Sequence, residues 1–87
     1  KGVSVGEGSV LHAENLKVLD STIGVSSKDY SKVSIKSATF VNVISCVEAK
    51  QKKQEFGGAS AVLKKMDCDG EVEIDQHSIV KVAGNEL

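Results

Sequence analysis

The densest run of reactive side chains in this sequence is acidic. Asp67, Asp69, Glu71, Glu73 and Asp75 occupy every second position of one stretch. A hard cation such as Ca²⁺ is held by several carboxylate oxygens at once, and Asp67, Asp69 and Glu71 are the three best placed to share one. Their spacing argues against it. Alternate residues of an extended strand lie about 7 Å apart, so a shared ion requires a bend at Gly70. The run also lacks the spacing of an EF-hand loop. The stronger reading is the solvent face of a strand, where like charges also discourage pairing with other chains.

Three other groups could do chemistry. Lys50, Lys52 and Lys53 precede Phe56 in the stretch Lys50 to Gly58. Such a loop could meet acidic sugars or phosphate through the ammonium groups and stack a sugar ring on Phe56. The plainer alternative is a solvated loop with Phe56 folded back to plug it. His12 lies near Ser9, and His77 beside Ser78; a Ser–His pair is the elementary nucleophile–base arrangement. His12 falls at an outward strand position and His77 in a corner, with no nucleophile-elbow sequence around either. No catalytic residue is therefore assigned. Cys46 and Cys68 read as two buried thiols. A disulfide between neighbouring coils is the other option, but Cys68 aligns beside Leu19 and Val43 while Cys46 aligns beside Thr22. Two isolated cysteines give no metal site.

The elements that must carry these residues are strands. Period-two alternation runs through nearly the whole chain, and helical periodicity is almost absent. Val3-Ser4-Val5, Ile23-Gly24-Val25, Val47-Glu48-Ala49 and Val72-Glu73-Ile74 can be laid over one another. Each leads into a turn-like segment and then a second alternating stretch. Ser9 and Ser31 are 22 positions apart, and Ile23 and Val47 are 24 apart. A repeat of this length is the mark of a solenoid, one coil per repeat. On this alignment Leu16 and Leu19 stand beside Phe40 and Val43. Cys68, Gly70, Val72 and Ile74 face inward, with a corner at Asp69-Gly70. Ala59, Ala61 and Leu63 share one face. The coil from Ser31 to about Ala59 is longer than its neighbour by roughly seven residues, which makes 50–58 an inserted loop of the third coil in a single 1–87 segment.

Composition narrows the partners. The 87 residues carry a net charge of −1, and all 11 basic residues are lysine. Without Arg for bidentate recognition, and with three aromatics for stacking, nucleic acid is not an expected partner. No apolar run reaches the ~20 residues of a membrane span.

The Ser-centred corners Gly8-Ser9, Tyr30-Ser31 and His77-Ser78 are followed by Leu11/Ala13, Val33/Ile35 and Val80/Val82. With Ala38-Thr39-Phe40-Val41-Asn42-Val43, which looks like the "sxFxNn" element of such coils, they make the chain resemble the right-handed parallel β-helix, the pectate-lyase-like solenoid. The 49–59 region looks like a loop in the last coils of large bacterial surface or secreted β-helix proteins. The resemblance implies an all-β, right-handed parallel β-helix of about four coils, cut from a longer solenoid, at the cell surface or outside the cell. The start at Lys1 and the bare strand edges of such a stack fit a segment of that kind.

It further implies a non-catalytic structural or carbohydrate-binding role, with a polysaccharide or cell-surface glycan contacting Lys50, Lys52, Lys53 and Phe56. Ca²⁺ is a common companion of the family. Two alternatives stay open: the C-terminal part of a polysaccharide lyase or glycosidase whose catalytic residues lie elsewhere, and a scaffolding or oligomer-forming segment whose ends pair with other coils or other copies. Lyases of this kind use an Arg or Lys base, and glycosidases paired Asp. The absence of Arg and of clustered inward acids here weakens the enzymatic reading.

Overall fold

The computed structural model describes residues 2–51 and 57–87. It is an all-β, right-handed parallel solenoid of about three turns. Strands β1 (Val3–Val5), β2 (Val10–Lys28), β3 (Lys32–Lys50), β4 (Ser60–Cys68), β5 (Glu71–Ile74), β6 (Ile79–Val82) and β7 (Asn85–Glu86) follow in chain order. β2 and β3, at 19 residues each, wrap most of a coil. Each pairs in parallel with the coil above and below, the arrangement forced when every circuit climbs one strand spacing of about 4.8 Å. β7 alone runs antiparallel, folding back on β6 through Ala83 and Gly84. Both turn residues have positive φ (51° and 83°), as a two-residue hairpin of right-handed twist requires.

The alternating Val, Ile, Leu and Ala residues stack into inward ladders. Leu11, Val33, Ala61 and Val80 form one, and Ala13, Ile35, Leu63 and Val82 the next. Val33, Ala61, Val80, Ile35 and Leu63 are buried, and Leu11, Ala13 and Val82 partly so. The Ser-centred corners coincide as the sequence implies: the carbonyl of Ser9 accepts from Lys32 N, that of Ser31 from Ser60 N, and that of Ala59 from Ile79 N. Asp67, Asp69, Glu71 and Glu73 are exposed as expected, with a bend between β4 and β5 at Asp69-Gly70; Gly70 is exposed rather than inward, because the bend interrupts the alternation, and Asp75 is half-buried at the next corner.

The register corrects part of the sequence alignment. The period between β2 and β3 is 22 throughout. Ile23 pairs with Ser45, and Val25 with Val47, so Val3, Val25, Val47 and Val72 make the valine ladder. Leu16 and Leu19 stand beside Ala38 and Val41 rather than Phe40 and Val43. Within a straight stretch a slip of two residues leaves side chains on their own faces, so alternation there cannot detect it; across the left-handed corner at Asp20 and Asn42 it does not, and it set exposed Leu19 beside buried Val43. In the next coil Lys32 pairs with Ser60, a step of 28. The insertion is therefore six residues long.

Candidate functional site

The two cysteines meet across the lumen. Cys46 and Cys68 are joined in a disulfide, with Cα atoms 6.3 Å apart and a sequence separation of 22. This overturns the expectation of two buried thiols. Two register slips had set the cysteines apart: Cys68 stacks beside Phe40, and Cys46 beside Gly24.

The staple occupies a place that recurs in every coil. Gly2 faces Val18, Gly24 faces the ring of Phe40, and Cys46 faces Cys68. A methyl group at position 24 would lie 2.5 Å from a Phe40 ring carbon and 2.5 Å from the Cys46 carbonyl oxygen. In the lower coils glycine leaves room for a large side chain across the lumen; in the third, two sulfurs fill the space. Gly2, Gly24 and Cys46 recur at a spacing of 22, which is the signal that locates the pair.

The polar side chains at the bends hold coil to coil. Asp20 and Asn42 both adopt left-handed backbone (φ 52° and 57°), and the Asn42 amide donates to Asp20 Oδ1 at 2.8 Å. The Asn42 N–H lies 3.4 Å from Asp69 Oδ2. Short polar side chains tolerate this conformation better than most. Inside the stack, the Ser27 and Ser31 hydroxyls are 2.6 Å apart, and Ser27 also donates to the Ser60 carbonyl. At the last corner Asp75 accepts from Gln51 N at 2.6 Å and from His77 N at 3.0 Å, while Ser78 Oγ accepts from Ala59 N. Burial alone would raise the Asp75 pKa; hydrogen bonds from Gln51, Ser78 and His77, together with the His77 charge, outweigh it and hold the group below its ordinary value.

The remaining candidates do not assemble. Lys50 reaches Glu73 at 3.5 Å and the buried Glu48 at 3.8 Å, so its ammonium is engaged with this chain's own carboxylates. Lys52, Lys53 and Phe56 lie outside the described residues. Asp67, Asp69 and Glu71 are all exposed, on either side of the β4–β5 bend. Among the described residues no group of three or more His, Cys, Asp or Glu side chains is placed to hold a metal ion. His12 is exposed on the outer face of β2 beside Ser34 of β3, and His77 is exposed at the Asp75 corner.

A concave region forms on the outer flank made by the first halves of β2, β3 and β4. It has a volume of about 480 Å³ and is lined by His12, Glu14, Ser34, Lys36, Val62 and Lys64 over a floor of Ala13 and Ile35. A second hollow of about 330 Å³ adjoins it, sharing Glu14, Lys36 and Lys64 and adding Lys65. No helix of the described residues is long and apolar enough to cross a membrane. Comparison of the chain with protein-family models, curated proteins and solved structures finds no match.

Proposed function

We propose that this chain is a non-catalytic structural segment of a stacked-coil scaffold that works outside the reducing cytosol. The observation that carries the reading is where the chemically able side chains are spent. Cys46 and Cys68 bind each other; Asp20, Asn42, Ser27 and Asp75 bond to neighbouring coils or corners. These groups hold one circuit to the next, as a scaffold needs. Structural disulfides persist in oxidising compartments, which supports a secreted or cell-surface setting. Kinship with the pectate-lyase-like solenoids belongs to the same proposal. It is supported by Phe40 turning into the lumen and Asn42 standing at the corner, as the resemblance implied.

The test has two arms. Duplication of residues 10–31, one full period, is expected to yield a folded protein whose axis is longer by about 4.8 Å in solution scattering. Protein recovered from its native source under non-reducing conditions is expected to show no free thiol by maleimide labelling and mass. Turnover of polysaccharides by this chain overturns the non-catalytic role, and two free thiols in the native protein overturn the compartment.

A further inference from the structure

We propose that copies of this chain associate side by side, the basic flank of one docking on the acidic corner of the next. Such a contact goes beyond the stacking of coils within one chain. The molecule is nearly neutral, yet its charges are sorted. Residues 10–15, 32–37, 60–65 and 79–82 stack on one another and contain five lysines and one glutamate; Lys36, Lys64 and Lys65 crowd the two adjoining hollows of this flank. Residues 17–22, 39–44 and 67–71 form the next stretch of each coil and its corner, with one lysine and four acids. Alternation breaks between the two stretches, where Glu14 and Asn15 are both exposed, and again at Leu19 and Asp20. A coil that closes on itself turns at such breaks, so the two surfaces face different ways.

Each surface also presents apolar side chains to water. At the acidic corner Leu19, Val41 and Ile44 are 51%, 47% and 69% exposed, around the Asp20–Asn42 hydrogen bond. Leu19 and Val41 stand side by side in register, and Ile44 follows just past the bend. The basic flank offers the 480 Å³ hollow, where Ala13, Ile35 and Val62 stand among Lys36 and Lys64. Glu14 is the one acid lining it, loosely paired with Lys36 at 3.8 Å, and the lysines remain in excess. An apolar ridge rimmed by acids and an apolar hollow rimmed by lysines match in shape and in sign. Like surfaces repel: two basic flanks bring lysine to lysine, and two acidic corners bring carboxylate to carboxylate. A twofold dimer is thereby disfavoured. The contact is heterologous, leaves an unused surface on each outer copy, and so extends. Four rows at about 4.8 Å by six residues at about 3.3 Å give roughly 380 Å² a side, about half of a standard interface, so each contact is weak.

The test is sedimentation and light scattering of the full chain at concentrations up to about 1 mM, the range a contact this small requires. Salt is set at about 20 mM and about 500 mM, where the screening length falls from roughly 20 Å to about 4 Å. K36E/K64E spoils the basic flank and D67K/E71K the acidic corner; all the altered residues are exposed, and circular dichroism verifies that both variants are folded. At low salt the parent's mass is expected to climb with concentration past the dimer. Either variant alone, or high salt, is expected to weaken association about tenfold. An equal mixture of the two variants is expected to regain the parent's affinity but to stop at a one-to-one pair, since each supplies one intact surface. A parent that stays monomeric or stops at a dimer, association untouched by either variant, as pairing through the coil ends predicts, or no recovery on mixing overturns the proposal. None of these results bears on whether the chain is catalytic or on its compartment.

Discussion

Removing the lumen staple is the sharpest test of how this small stack stays folded. The bond joins residues 22 apart in sequence. Closing a loop of that size removes about 3 kcal/mol worth of freedom from the unfolded chain. A domain of this length has a total stability of about 4–13 kcal/mol, so the staple is a large share of it. The double variant C46A/C68A should therefore melt roughly 12–24 °C below the parent, the range expected when 3 kcal/mol is lost from a domain of this size. Loss of the two sulfurs also leaves a void at the wholly buried Cys46, which adds to the deficit.

The assay is thermal unfolding followed by far-ultraviolet circular dichroism, with reduced parent protein alongside. A second variant separates cross-link from packing. C46G/C68F rebuilds in the third coil the Gly24–Phe40 pair of the coil beneath, and should regain the packing part of the loss but not the loop-closure part. If C46A/C68A melts within about 4 °C of the parent, the bond contributes under 1 kcal/mol and the reasoning fails.

Two further outcomes follow from the same geometry. G24A should lower stability by about 2–3 kcal/mol in urea unfolding, because the added methyl meets a backbone carbonyl as well as the Phe40 ring; F40L in that background should restore only part, and full recovery would show that the carbonyl contact is unimportant. Asp75 has a folded-state pKa held below its unfolded value, so its contribution is complete above about pH 4 and is lost as pH falls further through the lowered value. D75N should remove that part of the acid sensitivity, and parallel stability–pH curves for parent and D75N would refute the assignment.

How much of this was legible in the sequence depends on which symmetry each feature obeys. The strands were legible, because inward Val, Ile and Leu alternate with exposed Lys, Glu and Asp from β2 to β6. The corners were legible at Ser9, Ser31 and Ser78, where turn residues interrupt the alternation. The exact stacking was not, since Val25 and Ile23 are both β-branched and two residues apart, and the pattern alone does not reveal that Val25 is the buried one and Ile23 only half-buried. The disulfide was hidden in two ways: Cys46 lay two residues out, beside Thr22 rather than Gly24, and Cys68 three residues out, beside Val43 rather than Phe40, across the corner at Asn42 where the alternation itself breaks. The basic flank was hidden for another reason. Lys36, Lys64 and Lys65 come from separate coils, whereas Lys50, Lys52 and Lys53 are neighbours in sequence and draw attention first.

The staple has a mechanical consequence. Pulled from its two ends, a solenoid unwinds circuit by circuit, and a free circuit of 22 residues releases up to about 75 Å of slack. The 46–68 bond closes a loop that tension cannot open without breaking a covalent bond. The coils below it can pay out like turns of rope from a drum, and the third circuit is the knot at which the rope stops.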